Sequence, residues 1–133
     1  MEIEEFFARY ARALTSGDAD EVASCYGCPS MVLADGAVFA SRERHEVRSA
    51  FAGAGDAFRA REIVRAVPAF ETVSPITGRL ADVEVRWTYL DAAGAVRGVE
   101  RIRYLLRAED GCLAIHVVIS VEPPTTPDGR SLV

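Results

Sequence analysis

Lysine is absent from this sequence of 133 residues, and arginine supplies all 15 basic side chains. The 20 acidic residues outnumber them, which gives a formal net charge of −5, and no run of like charge is present. Nonspecific binding to nucleic acid depends on clustered cations, so we expect no nucleic-acid partner. The use of arginine instead of lysine, beside many alanines and glycines, is typical of a GC-rich bacterial genome.

Long apolar runs are also missing. No stretch approaches the roughly 20 apolar residues that a membrane-spanning helix requires. The opening residues, MEIEE, lack the basic start and apolar core of a secretory signal. We therefore expect a cytoplasmic protein with no membrane partner, in which the 3 cysteines are free thiols.

Motifs for cofactors and metals are lacking as well. The sequence contains no phosphate-binding loop, no G-x-S-x-G motif and no dinucleotide fingerprint. Cys25 and Cys28 form a C-x-x-C pair, but Cys25 lies at the predicted end of a helix, where the helix dipole disfavours a reactive thiolate. Cys112 and His116 lie four residues apart on a predicted strand, about 13 Å, which is too far to share a zinc ion. We expect neither metal nor cofactor.

Apolar residues recur at helical spacing in three N-terminal segments. The spacing predicts helices over residues 2–15, 18–26 and 42–59. Asp18 and Glu21 are in the positions of a capping box at the start of the second helix. Gly53 weakens or bends the third.

The remaining segments predict β-structure. Two short apolar stretches around Asp35-Gly36 predict a hairpin over residues 31–40. A period of two then predicts strands over residues 61–73, 79–90, 96–108 and 112–121.

Three helices followed by antiparallel strands predict an α+β domain spanning residues 1–122. Its helices should pack on one face of a curved antiparallel β-sheet. Residues 123–133 are rich in proline, and we expect a flexible C-terminal tail or a clasp.

Two parts of the sequence resemble the nuclear-transport-factor-2-like (NTF2-like) superfamily. The first reads RYARALTSGDAD and continues to Cys25-Tyr26, and the second begins YLDAAG and continues through Arg101 and Asp110-Gly111 to His116. They are similar to segments of ketosteroid isomerases and SnoaL-like cyclases. The resemblance implies a cystatin-like cone with a small-molecule pocket between helices and sheet. This fold hosts many chemistries, so the resemblance implies a fold rather than a function.

The resemblance places Tyr10 at the position of the tyrosine that donates a hydrogen bond in ketosteroid isomerase. A core tyrosine with an ordinary partner is the alternative. The position of the catalytic base falls on Ala34, next to Asp35, and that of the second acid falls at or near Arg103. Neither alanine nor arginine can do that chemistry, so we do not expect the ketosteroid isomerase mechanism.

Other candidate residues follow from the implied pocket. His116 paired with Asp35 would move protons, and the planar guanidinium of Arg103 would hold an anionic group. A core histidine, a simple turn carboxylate and a solvated arginine are the respective alternatives. The remaining candidates for ligand contact are Tyr26, Phe51, Phe58 and Val118.

Two functions remain open for such a pocket. One is a cofactor-free acid–base enzyme, an isomerase, cyclase or dehydratase acting on a small apolar carbonyl compound. The other is a non-catalytic module for ligand binding or association. A proton-transfer site needs a carboxylate on the pocket wall, and Asp35 is the only one expected near it.

The last strand alternates between aliphatic odd positions and more polar even positions. We expect the even side, with His116, to face the pocket. An aliphatic outer face then predicts a back-to-back homodimer. The side chains predicted to be buried by the partner are Val83, Val85, Trp87, Ile115, Val117 and Ile119. A register slip of one residue would exchange the two faces.

Overall fold

The computed structural model describes residues 2–132. Within that range the chain forms four helices and six strands. In order they are α1 (Ile3–Ser16), α2 (Ala19–Ser24), β1 (Tyr26–Ala34), β2 (Ala37–Ser41), α3 (Arg44–Ala50), α4 (Ala54–Ala60), β3 (Arg65–Pro75), β4 (Leu80–Leu90), β5 (Val96–Glu109) and β6 (Cys112–Thr125).

All six strands form one sheet in the order β2-β1-β6-β5-β4-β3. Neighbouring strands are antiparallel except β1 and β6, which are parallel. The predicted α+β fold, with helices packed on one face of a curved and mostly antiparallel sheet, is confirmed. Within residues 2–132 no helix is both long and apolar enough to cross a membrane.

The first two helices form where their sequence signals lie. One side of α1 is buried against the sheet, and Gly17 (φ 79°) ends the helix in the left-handed region. The Asp18 carboxylate accepts hydrogen bonds from the backbone N–H groups of Asp20 (3.1 Å) and Glu21 (3.2 Å). The second helix is shorter than predicted because Tyr26 already belongs to β1.

The single helix predicted over residues 42–59 is wrong, since the structure has α3 and α4 with a turn between them. Glycine has a low helix propensity, and Gly53 lies in that turn. Gly55 brings α4 very close to the end of α1, where an added Cβ would lie 2.3 Å from the Cα of Gly17. The break also frees Phe51 to pack on Tyr26, with ring centroids 5.5 Å apart.

The last strand is longer than predicted and ends at Thr125. After it, residues 126–132 turn back along the chain. The backbone N–H of Leu132 donates to the Pro124 carbonyl (2.9 Å), and the Leu132 carbonyl accepts from Arg61 (2.6 Å). The flexibility of residues 123–133 stays a prediction.

The inner face of β4 carries the odd-numbered side chains. Val83, Val85 and Trp87 are fully buried within one chain, and the Trp87 ring lies 6.3 Å from that of Phe7 on α1. The prediction that these residues face outward and are covered by a partner is therefore wrong. The alternative register holds for this strand.

A bulge in β6 changes which residues of that strand face the helices. Leu105 pairs with Val117, but the next residue, Leu106, pairs with Ile115, so His116 has no partner on β5. Ile115 is fully buried on the inner side, contrary to prediction. Beyond the bulge the phase reverses: Val118 points inward, as predicted, and Val117 with Ile119 points outward.

Candidate functional site

A pair of tyrosine hydroxyls joins α1 to β1 inside the cone. The oxygen atoms of Tyr10 and Tyr26 lie 2.7 Å apart, and Tyr10 is buried. Burial raises the pKa of both phenols above the ordinary range. Both are therefore neutral near pH 7, and each carries a proton that it can donate.

Aromatic side chains surround this pair. The rings of Tyr104 and Trp87 lie 6.2 and 6.3 Å from that of Tyr10. The indole Nε1 of Trp87 donates to the Tyr104 hydroxyl at 2.8 Å, and both residues are fully or almost fully buried. The cluster fixes Tyr10 in place because each ring packs against its neighbours.

A cavity of about 250 Å³ opens beside Tyr26, between α3 and the β1–β2 hairpin. Its lining contains no charged side chain, and its volume lies just below the roughly 300–1,000 Å³ usual for ligand sites. Three hydroxyl groups interrupt an otherwise apolar wall. The lining residues are Tyr26, Ser30, Val32, Phe39, Ser41, Val47, Ala50 and Phe51.

Several of the predicted site residues meet at or near this cavity. Tyr26 and Phe51 line it, and Tyr10 reaches it through its hydrogen bond to Tyr26. Val118 lies on the inner face of β6, opposite Val32 of the cavity wall. Phe58 does not line the cavity and packs on Tyr89 instead, with ring centroids 5.3 Å apart.

The structure does not bring His116 or Asp35 to the cavity. The His116 ring covers Gly27, and its Nδ1–H donates to the Pro29 carbonyl at 2.8 Å. Asp35 is exposed at the turn between β1 and β2. The expected His116–Asp35 pair is absent from the hydrogen bonds and ion pairs of the described residues, because the β6 bulge directs His116 towards β1.

Arg103 lies on the outer face of the sheet. Its guanidinium makes two hydrogen bonds to the Asp82 carboxylate, one of them 2.8 Å from Nε to Oδ1. These bonds lower the pKa of the Asp82 carboxyl. The predicted convergence of Arg103 with Tyr10 and Tyr26 is not found, since β5 directs odd-numbered side chains outward here.

The sequence profile described as NTF2-like protein (DUF6841) matches residues 1–123. The chain belongs to this NTF2-like family. No curated protein matches its sequence.

Solved structures share the NTF2-like fold at low identity. A single-residue variant of Rv3472, a protein of unknown function from Mycobacterium tuberculosis, is 20% identical over 90% of this chain and 73% of its own, with a TM-score of 0.69. An NTF2-like protein of unknown function from Shewanella oneidensis is 16% identical over 89% and 94%, with a TM-score of 0.67. A candidate calcium/calmodulin-dependent protein kinase II association domain from Xanthomonas campestris is 20% identical over 90% and 86%, with a TM-score of 0.65. At these identities the likeness shows a common fold alone.

The NTF2-like cone also holds a carboxyl group that is not among the predicted catalytic and ligand-binding residues. Glu100 on β5 lies opposite Trp87 and accepts a hydrogen bond from the Tyr89 hydroxyl. Burial raises its pKa, which the Tyr89 hydrogen bond and the charge of Arg61 partly oppose. The sequence did indicate its position: Glu100 and the buried Tyr104 are both even-numbered residues of β5, so their side chains leave the strand on the same face.

Other groups with possible metal or redox chemistry lie apart from the cavity. In this NTF2-like chain the donor atoms of Glu43, His45 and Glu46 all lie within 4.8 Å of one another at the surface. Exposed acidic groups of this kind are common without an ion. Cys25 is buried, which raises its pKa, and Cys28 is exposed. Neither arrangement adds to the candidate site.

Proposed function

We propose that this NTF2-like domain binds a small, uncharged carbonyl compound in the cavity between α3 and the β1–β2 hairpin. The observation that carries the proposal is the Tyr26 hydroxyl on the wall of an apolar cavity, held there by Tyr10. A ligand pocket is typically apolar with a few placed polar groups. A cavity without a charged lining favours a neutral ligand, because a buried ion needs a counter-charge.

The direction of the Tyr10–Tyr26 hydrogen bond supports a donor role for Tyr26. Tyr10 is 3% exposed, and Tyr26 is its only hydrogen-bond partner among residues 2–132. If Tyr10 donates to Tyr26, the buried proton of Tyr10 is satisfied, and the Tyr26 proton is left for an acceptor in the cavity. The opposite direction would leave the Tyr10 proton buried and unpaired, which costs about 1–3 kcal/mol. A ligand carbonyl oxygen is the acceptor that fits.

Binding without catalysis is the form of this function that the lining favours. Proton transfer at carbon needs a base within hydrogen-bond reach of the substrate. The cavity wall contributes hydroxyl groups but no carboxylate and no imidazole. Glu100 is not part of that wall: its hydroxyl partner is Tyr89, and the charge that acts on it is that of Arg61.

Binding of acetophenone, with toluene as the matched hydrocarbon, tests the proposal by ligand-observed NMR. We expect acetophenone to bind more tightly than toluene, and Tyr26→Phe to remove that difference. Ala50→Phe should block both compounds, because Ala50 lines the cavity and is itself exposed. Ala57→Phe, on the exposed side of α4, is the control for an added aromatic ring.

Two results would count against the proposal: no binding of acetophenone to the wild type, or binding that survives Ala50→Phe. Exchange of the acetophenone methyl protons in D₂O separates the enzyme from the binding module. Faster exchange with the wild type than with Ala50→Phe would indicate acid–base catalysis, and equal exchange would indicate binding alone.

A second candidate function, self-association through the outer face of the sheet, has its own support. Met31, Val117 and Leu105 are adjacent across three strands on that face, and Leu33 lies beside Ile119. An aliphatic patch of this kind often marks a protein interface. An association domain is among the proteins that share the fold.

We expect a homodimer whose interface is this patch rather than the residues under α1. Ile119→Glu should then give monomers in sedimentation velocity experiments at micromolar concentration. Val73→Glu is the control, since Val73 is 47% exposed on the edge strand β3, away from the patch. A wild type that sediments as a monomer would exclude this interface.

A further inference from the structure

Two serines face each other across the β1–β2 hairpin, on the wall of the cavity. Ser30 and Ser41 are directly paired in the register of the two strands. Both line the cavity, and both are more than nine-tenths buried, at 8% and 3% exposure. Among residues 2–132 neither side-chain hydroxyl makes a hydrogen bond.

Two serines near helix ends satisfy their hydroxyls locally. Ser16 and Ser24 donate to carbonyls one helical turn back, at 2.9 and 2.6 Å. The two oxygens are not sealed from solvent, since Arg101 Nε is the single fully buried side-chain nitrogen or oxygen without a partner among the described residues. Two hydroxyls that lack a protein partner, side by side on the wall of one open volume, are free to bind what the volume receives.

Strand alternation accounts for their position. Ser30 and Val32 point inward from β1, while Met31 between them points to the outer face, where it neighbours Val117. Ser41 comes inward from β2 in the same way. Because the two serines form a cross-strand pair, their side chains leave the sheet from adjacent points on one face.

We propose that Ser30 and Ser41 together bind a second oxygen atom of the ligand, so that the cavity recognises a small, uncharged compound with two separate oxygen functions, such as a hydroxyketone. This inference rests on the proposed function, which assigns the first oxygen to Tyr26. Each serine hydroxyl can donate one hydrogen bond and accept others. The pair therefore accepts either a carbonyl or a hydroxyl group. A carboxylate is disfavoured because no cationic side chain lines the cavity.

The three hydroxyacetophenone isomers, compared with acetophenone, provide the test. They differ from acetophenone only by one hydroxyl group placed at three distances from the carbonyl. We expect at least one isomer to bind the wild type about three- to tenfold more tightly than acetophenone, the range for one net hydrogen bond. The Ser30→Ala/Ser41→Ala double variant should lose this gain and keep its affinity for acetophenone.

Controls separate this inference from the proposed function. Tyr26→Phe should weaken acetophenone and its hydroxylated isomers alike, whereas the double serine variant should affect only the isomers. Ser49→Ala, at an exposed position of α3, should change neither. Folding should survive in the double variant because no side-chain hydrogen bond within residues 2–132 is lost. Its melting temperature should therefore be close to that of the wild type.

The outcomes are distinct. If acetophenone does not bind the wild type, the proposed function fails. If acetophenone binds but no isomer binds more tightly, the serine pair holds only water and the inference is overturned. It is equally overturned if the gain persists in the double variant, and Ser41→Ala alone provides the same comparison should the double variant unfold.

Discussion

The imidazole ring of His116 lies directly over Gly27. A methyl group added to Gly27 would come within 2.2 Å of the ring nitrogen Nε2, and the other ring nitrogen is held by the Pro29 carbonyl. The pair lies where β1 and β6 are out of step, between the Tyr26–Ile115 and Met31–Val117 pairings. The His116 ring thus fills the gap where the regular pairing of β1 and β6 is interrupted.

Substitution of Gly27 by alanine should destabilise the protein by about 1–3 kcal/mol, the usual cost of overpacking. The histidine would have to move and give up its hydrogen bond to Pro29. Urea denaturation of Gly27→Ala, His116→Ala and the double variant measures this. We expect the double variant to be more stable than the sum of the single effects implies, since removal of the ring leaves room for the methyl group. Strict additivity would contradict the contact.

Glu100 should make the stability of the protein fall as pH rises. Its pKa in the folded protein is raised above the ordinary value of 4.5, so folding favours the neutral carboxyl. The stabilisation is complete below the ordinary pKa and is lost as pH rises through the raised pKa. Glu100→Gln keeps a neutral acceptor for Tyr89, and its stability should lack this component of pH dependence.

Thermal unfolding between pH 4 and pH 8 tests this difference between wild type and Glu100→Gln. Glu71→Gln is the matched control because Glu71 is exposed on β3. Its curve should run parallel to that of the wild type. Parallel curves for wild type and Glu100→Gln would show that folding does not change the pKa of the Glu100 carboxyl.

The Tyr104 hydroxyl should contribute measurably to stability. It accepts the hydrogen bond of the Trp87 indole in a fully buried setting. Tyr104→Phe leaves that N–H without a partner, which we expect to cost about 1–3 kcal/mol. Guanidinium denaturation followed by the fluorescence of Trp87, the only tryptophan, gives both the stability and the emission maximum. An unchanged midpoint would show that the indole finds another acceptor.

Arg103 should be dispensable for ligand binding. Its guanidinium is exposed on the outer face and paired with Asp82, and exposed ion pairs add little to stability. Arg103→Ala should leave the melting temperature and the affinity for acetophenone unchanged. Tyr26→Phe, measured in the same titration, provides the contrast. A loss of affinity in Arg103→Ala would indicate that the ligand binds on the outer face of the sheet, near Arg103.

Local signals predicted the parts of the fold that depend on neighbouring residues. The cap of Asp18 and the turn at Asp35-Gly36 formed as expected, because such features are determined within a few residues. The break between α3 and α4 could be predicted only in part. Gly53 indicates that a helix is unfavourable there, but not where the chain turns.

Strand faces were harder to predict because alternation does not say which side carries the helices. Val83, Val85 and Trp87 have an obvious common face, yet it was assigned to the wrong side. In β6 no single phase is correct, since the bulge at His116 changes it. Glu100 was overlooked as part of the inner wall for the same reason, as was the pairing of Ser30 with Ser41, which depends on the hairpin register.

The bulge at His116 has a consequence for comparing this chain with its relatives. Residues before it and residues after it occupy opposite phases of the same strand, so any relative with an unbroken β6 must be aligned with a one-residue gap at this point. Without that gap, the positions from Val117 to Ser120, where the next shift in register begins, are matched to residues on the other side of the sheet. A functional role carried across such an alignment then falls on a side chain that points the wrong way.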